Sequence, residues 1–298
     1  MISVNPALLA LLNQSFKARF ARGLARAATS WRSIAMESES TSAVEVYPMI
    51  ASLGPLREWV GNRVAEELSM AEMAMSNRHF EKTLRVNKNK IEDDQFGVYG
   101  NEAEMLGDQA ERHPDQLTYK LLEAGFTTVG FDGQYFFDTD HPVEDGSLTG
   151  RNTRATALSV ANYAQARADM MSLKDDGGET LDITPDLLVV PPALEETARN
   201  ILFADPVFVA GVPQNNIWKG SAQLLVSKRL TSASHWYLFD TSKPIKALIV
   251  QFRKRPQLVS QQSLTDDSVF WRNEFVWGVD YRGNAGYALW QLAWGSSA

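Results

Sequence analysis

The chain has 298 residues, 44% hydrophobic and 22% charged, with a formal net charge of -7, proportions that fit a globular protein with a sizeable core in one large domain or two. There is no cysteine, which excludes disulfide frameworks, thiolate catalysis and cysteine-ligated zinc. The acidic balance argues against a chain built throughout to coat nucleic acid; no run reaches the eighteen or so apolar residues of a membrane span, and the start lacks the basic region of a secretory signal, so the chain is expected to stay where it is made.

Leu8, Leu12, Phe16, Phe20 and Leu24 stand at four-residue steps within Pro6 to Ala28, with Lys17, Arg19, Arg22 and Arg26 elsewhere around the turn, which predicts an amphipathic helix. No acidic residue precedes Glu37. Such a start is compatible with a transit peptide or an interfacial membrane helix, and the reading adopted is a helix docking on acidic surface of its own or a neighbouring subunit. Glu37 to Glu45, rich in Ser, Thr and Glu, is expected to be a linker. Tyr47 to Trp59 holds Pro48, Gly54 and Pro55 and is expected to be irregular but packed. From Arg63 to Val86 the pattern is mixed: Val64, Leu68, Ala71 and Met75 suit a helix, whereas Phe80, Lys82, Leu84 and Val86 alternate as in a strand.

Ile91 to Pro142 organises the chain. Ala103, Leu106, Ala110, His113, Leu117, Leu121 and Ala124 form a stripe at three- and four-residue steps, while Glu102, Glu104, Asp108, Glu111, Asp115 and Lys120 fall off it and are expected to face water. Pro114 inside that pattern predicts a kink, or two stacked helices with Pro114 opening the second, and Gly125 is placed for a left-handed C-cap. Thr127 to Phe131 and Gln134 to Asp138 flank Asp132-Gly133, which predicts a type I′ hairpin.

Glu144 to Thr156 is expected to be a polar connection. Ser159 is placed to cap a helix carried by Val160, Tyr163, Arg167 and Met170 and stopped by Asp175-Asp176-Gly177-Gly178. Leu187 to Val190 reads as a buried strand, and Pro192 opens a helix with Leu194, Ala198, Ile201 and Leu202 inward. Asp205 to Gly220 is expected to be a long surface loop, followed by strands at Gln223 to Leu230, Trp236 to Phe239 and Ile245 to Phe252. Val269, Trp271, Phe275, Trp277, Val279 and Tyr281 lie on one face of a predicted strand about 43 Å long. Gly283 to Gly286 is expected to be a turn, Tyr287 to Trp294 a last strand, and Gly295 to Ala298 a tail.

Three clusters carry possible chemistry. Asp138, Asp140 and His141 could bind a divalent metal, the basis of an alternative reading as a soluble metal-dependent hydrolase. In extended backbone, however, His141 points away from the two acids, so the preferred reading is a strand end whose acids accept backbone N–H groups. Glu92, Asp93 and Asp94 are expected to act as helix-dipole partners. Arg253, Lys254 and Arg255 end a strand and are expected to form a solvated edge or an inter-subunit ion pair. No phosphate loop, GxSxG elbow or HExxH helix occurs, and no cofactor, metal or catalytic residue is assigned.

The segment Phe131-Asp132-Gly133-Gln134-Tyr135-Phe136-Phe137-Asp138-Thr139-Asp140-His141-Pro142 resembles the signature of the major head subunit of Mu-like bacteriophages and prophages. Asn77 to Thr83, Ile91 to Gly97, Leu188 to Glu195 and Gly283 to Gln291 resemble further blocks of that family, in its order. The resemblance implies an α+β Hong Kong 97-type capsid fold: N-terminal arm and linker at 1–60, extended hairpin loop at 61–90 with both limbs β, peripheral domain with spine helix at 91–156, α/β axial domain at 157–244, and return strands of the peripheral domain at 245–298. It implies a structural virion protein that assembles into hexamers and pentamers of an icosahedral head around double-stranded DNA. The implied partners are further copies, a scaffold or protease, a portal, a decoration protein and packaged DNA; location is the virion, and the host cytoplasm before assembly. Inter-subunit contacts are expected from Leu8, Leu12, Phe16 and Phe20 in the arm, Phe80, Lys88, Lys90 and Asp93 in the loop, and Asn215 and Trp218 in the axial loop. Lys88, Asn89 and Lys90 are not expected to crosslink, and a shell around protein cargo stands as a further alternative.

Overall fold

The computed structural model describes residues 6–49, 71–92, 96–143, 148–175, 178–209 and 211–298. The chain opens with helices α1 (Pro6–Arg26) and α2 (Trp31–Ile34), then strands β1 (Ala35–Glu39), β2 (Val44–Met49), β3 (Ala71–Ser76) and β4 (Arg78–Asn87). Helices α3 (Lys88–Glu92), α4 (Phe96–Glu111) and α5 (His113–Ala124) follow, then β5 (His141–Val143), β6 (Leu148–Gly150) and α6 (Val160–Met171). The second half holds β7 (Leu187–Val190), α7 (Glu195–Leu202), β8 (Val207–Val209), β9 (Val212–Gln214), β10 (Gln223–Val226), β11 (Trp236–Phe239), β12 (Leu248–Gln261), α8 (Asp267–Arg272), β13 (Glu274–Tyr287) and β14 (Ala293–Ser296).

Two four-stranded sheets carry the body. The first has the order β1-β12-β13-β4 and is built on the antiparallel pair β12 and β13, each 14 residues long, about 46 Å at the rise of an extended strand. Along it Phe275, Trp277, Val279 and Tyr281 alternate inward as predicted and are buried, Phe275 and Trp277 in one cluster with Leu12 and Phe16 of α1 and Ala103 of α4, while α5 packs on the same strand. The second sheet has the order β10-β7-β11-β14, with β7 fully buried, α7 packed on β7 and β10, and α6 on β14. Helix α6 begins where predicted: the Ser159 side chain accepts from Asn162 N at 3.2 Å, an N-cap that satisfies one orphan donor of the first turn.

The spine is two helices, with Pro114 in the first turn of α5, where its missing N–H costs nothing. The break rotates the buried stripe. In α4 it runs through Ala103, Leu106 and Ala110 as expected, but α5 buries Pro114, Asp115, Thr118, Tyr119 and Leu122. Asp115, expected in water, instead accepts from Ser30 N at 3.0 Å and Trp31 N at 2.8 Å. Gly125 is not left-handed (φ -61°). It is glycine because a Cβ there would lie 2.7 Å from the Phe137 ring.

Several local expectations give way to tertiary pairing. Glu37 to Glu45 is no linker: Ala35–Glu39 pairs in parallel with Leu248–Phe252. β2 pairs antiparallel with β3, two strands on either side of the expected 61–90 boundary at its start, and 50–70 lies outside the described residues. Strand β4 belongs to the first sheet instead. The segments flanking Asp132-Gly133 make one isolated bridge, Val129 with Tyr135, and only Gly133 has positive φ, so the turn is not type I′, which needs both central residues left-handed. Leu148–Gly150, inside the expected polar connection, pairs with His141–Val143 just before it.

In the last quarter β12 continues through Arg253 to Arg255 as far as Gln261, with register shifts between Phe252 and Gln257. The predicted strand from Val269 is interrupted: α8 occupies its first residues, and Asn273 (φ 55°) ends that helix before β13 begins. Gly283 to Gly286 is strand, not turn, because Gly283 pairs with both neighbours and a Cβ there would sit 2.4 Å from Gln251 O. Beyond Tyr287 the chain makes a 3-10 turn at Trp290–Leu292, and Gly295, expected in a tail, lies in buried β14.

Candidate assembly surfaces

The arm is fastened to its own chain. At the crossing of α1 and α4 two glycines bring the backbones together: a Cβ on Gly23 would meet Glu104 O at 2.0 Å, and one on Gly107 would meet Phe20 O at 2.2 Å. Beside that crossing Arg26 Nη1 donates to Glu104 Oε1 at 3.1 Å, and Arg19 Nη1 to Asn101 Oδ1 at 3.2 Å. Leu12, Phe16 and Phe20 are buried, with Phe16 stacked on Trp277 at 4.3 Å between centroids. Those three expected contact residues therefore spend their side chains inside the subunit; the side chain of Leu8 lies outside what is described. Farther on, Trp31 is fully buried beside Phe252, Arg32 pairs with Glu37 and Glu111, and burial pushes the Glu111 carboxyl up against the pull of Arg32. Removing Met1 to Met36 would strip Trp31 and Ile34 from the core, so such a truncation unsettles the fold as well as assembly.

The β2–β3 pair is locked to the first sheet. Gln251, fully buried in β12, donates through Nε2 to Asn77 Oδ1 at 2.9 Å and accepts at Oε1 from the Tyr47 hydroxyl at 3.0 Å. Asn77 Nδ2 in turn donates to Ser40 Oγ at 2.6 Å and Ser42 O at 2.8 Å. The Glu45 carboxylate closes the turn before β2: Ser42 N, Ser40 Oγ and Thr41 N all donate to it, which holds its pKa down to about 2. A carboxylate depressed in the folded state contributes stability that is present above its unfolded pKa near 4.5 and lost as pH falls through the folded value. Amide exchange at Thr41 and Ser42 is therefore expected to quicken between pH 4.5 and 2 beyond the intrinsic trend, and Glu45→Gln should remove that pH-dependent step. Exchange that follows the intrinsic pH trend in the unaltered chain would contradict this.

Phe80 lies in β4, partly buried between His113 and Tyr281, at 4.2 and 5.5 Å between ring centroids; it is a sheet residue, not a loop tip. Lys88 and Lys90 lie in α3, which is tied to α8 by the bond from Lys88 N to Asn273 O, and Asp93 and Asp94 lie outside the described residues. In the axial loop Asn215 is exposed, whereas Trp218 is half-buried, edge-on to Tyr163 with the Arg167 guanidinium over its ring. Asn216, which the periodicity did not single out, holds this loop by donating to Ile201 O and Ala204 O. That loop is not structureless, since β8 and β9 pair within it.

The Asp138, Asp140 and His141 cluster is a structural knot. His141 is fully buried and stacked on Trp290 at 3.9 Å, with Nδ1 2.5 Å from Asp132 Oδ2 and Nε2 3.1 Å from Asn152 Oδ1. Asp138 accepts from Thr139 N and Tyr135 N. Burial works against its charged form, but those N–H groups and Asp140 hold it below the usual carboxylate range, and the hydrogen bond to Asp138 pushes Asp140 up. Asp132 and Asn152, which hold the histidine, carry no pattern a sequence could signal. Arg255 is spent on Glu37 and Glu39, and Lys254 on Asp280, so these cations close intra-chain pairs. No group of three His, Asp or Glu among the described residues is arranged to hold a metal, and no described helix is long and apolar enough to cross a membrane.

The model of the family "Mu-like prophage major head subunit gpT" matches residues 9–157, 151–230 and 228–298. The Mu-like prophage FluMu major head subunit of Haemophilus influenzae is 30% identical over 98% of this chain and 74% of that protein. The major capsid protein of Escherichia phage Mu is 29% identical over 97% of this chain and 73% of its own length. Among solved structures, the procapsid of bacteriophage JBD30 superposes with a TM-score of 0.62 at 30% identity, covering 99% of this chain and 76% of that one.

Proposed function

Because the chain belongs to the Mu-like prophage major head subunit family and is a major capsid subunit of a Mu-like phage, we propose that it assembles as hexamers and pentamers of an icosahedral head around double-stranded DNA. It is a structural component of the virion, not an enzyme. The observation that carries the assembly reading is the antiparallel pair β2–β3, held to the first sheet by Gln251 and Asn77, which leaves Val44 and Val46 exposed.

The division proposed is an arm through α2, a hairpin based on β2 and β3, a peripheral domain of the first sheet with α4 and α5, and an axial domain of the second sheet with α6 and α7. Contacts between subunits would run through the exposed side of α1, the hairpin, and the axial loop with Asn215 and Ile217. A scaffold or protease, a portal, a decoration protein and packaged DNA are the further partners this reading implies, with the host cytoplasm as the place of the chain before assembly. A net charge of -7 suits non-specific confinement of DNA rather than tight binding to it.

The experiment is negative-stain electron microscopy of the chain purified after co-expression with its candidate scaffold. Closed shells, or rings of five and six, are expected. A discrete monomer or dimer would overturn the reading.

A further inference from the structure

The most exposed large aromatic side chains among the described residues sit at the far end of the first sheet. Phe270 is 72% and Trp271 76% exposed, with their rings edge to face at 4.8 Å between centroids, and Leu264 stands exposed in the same connection. The other described tryptophans are buried or half-buried. The turn is not loose. Val269 is buried with Phe275 and Trp277, Asn273 ends α8 in a left-handed conformation, and Asn273 is bonded to α3 twice, accepting from Lys88 N and donating to Asn89 Oδ1, each at 2.9 Å. Anchoring one face of a six-residue helix turns the next two side chains outward. An aromatic pair presented this rigidly in water is the composition of an interface centre.

Charge is divided across the same turn. Asp267, exposed, is the first residue of α8; Arg272, exposed, is the last, about 8 Å along the axis. Lys90, also exposed, is brought to the basic end by the bonds between α3 and Asn273. One surface thus carries an acidic end, an apolar centre and a basic end.

We propose that this turn is a contact surface for a second copy of the chain, docked antiparallel on the same turn of its neighbour. Phe270 and Trp271 bury against the neighbour, and Asp267 of one copy faces Arg272 and Lys90 of the next. Both halves of the charge pair lie on one surface, which fits a copy of this chain better than an unrelated protein, and a patch that is its own complement docks on the same patch of its neighbour about a two-fold or quasi-two-fold axis. The inference rests on the capsid reading, since it needs neighbours that are further copies.

The test compares the full chain with F270S/W271S, D267R and the exchange D267R/R272D/K90D, each co-expressed with the scaffold and scored for closed shells by microscopy and sedimentation. The altered side chains lie in solvent, so thermal midpoints should match the unaltered chain. F270S/W271S and D267R are expected to lower the yield of closed shells about tenfold or more, the effect of losing an interface centre, and the exchange to restore it relative to D267R. Undiminished shells from F270S/W271S would overturn the contact; a D267R defect that the exchange leaves in place would overturn the antiparallel charge pairing. Absence of shells from the unaltered chain is a different result, since it overturns the capsid reading itself.

Discussion

Replacing Asn152 with alanine is expected to destabilise the chain by about 3–5 kcal/mol, the range in which a fully desolvated polar network loses its centre. Asn152 is fully buried. Its Oδ1 accepts from Asp138 N at 2.9 Å and lies 3.1 Å from His141 Nε2, and its Nδ2 donates to Phe136 O at 2.8 Å and Trp290 O at 3.3 Å. Alanine takes the Asn152 partner away from each of these groups. Urea unfolding of Asn152→Ala against the unaltered chain measures the loss, with Asp140→Ala, an exposed carboxylate of the same segment, as the control that should leave the midpoint in place. A midpoint as high in Asn152→Ala as in the control would refute the structural role given to the cluster.

Gly107→Val should release the arm and abolish shell formation. In an ordinary helix interior, replacing glycine with alanine stabilises by roughly 1 kcal/mol through backbone entropy. Here the sign reverses, because any Cβ on Gly107 enters the space held by Phe20 O at 2.2 Å and Leu24 N at 3.0 Å. These are backbone atoms of α1 and cannot rotate away, so the helices must part. Overpacking of this kind costs about 1–3 kcal/mol. Parting also loosens the Phe16 stack on Trp277 and the Arg26 pair with Glu104. Trypsin cleavage at Arg19, Arg22 and Arg26 should quicken in Gly107→Val, less so in Gly107→Ala, and closed shells should be lost in the valine variant. Equal cleavage rates and normal shells would show that the crossing does not govern the arm.

Much of the peripheral chemistry was legible because it is local. The Ser159 cap, the buried run Leu187–Val190, the break at Pro114 and the arm helix follow from spacings of three and four residues or from single-residue stereochemistry. The reading of Asp138, Asp140 and His141 as structural was also available from alternation along an extended chain. Its supports, Asp132 and Asn152, were not, since nothing in the neighbourhood of a polar residue says which distant backbone group will need it.

The sequence by itself determined the helices α1, α4, α5, α6 and α7, where several of them start, which strand faces are apolar, and the family to which the chain belongs. The tertiary structure decided the rest. Glu37 to Glu45 looks like a linker, yet its first residues complete the strand Ala35–Glu39 because the partner, Leu248–Phe252, stands more than two hundred residues later. Asp115 looks solvated and is buried because the break at Pro114 turns the stripe toward Ser30 and Trp31. Gly23 and Gly107 look unremarkable until α1 and α4 cross on them. Trp271 shares the phase of a buried face but stands in water, because Asn273 ends a helix one residue before the strand begins. Helical periodicity is written within a few residues; strand pairing, polar burial and close backbone approach are set by partners that the chain meets only on folding.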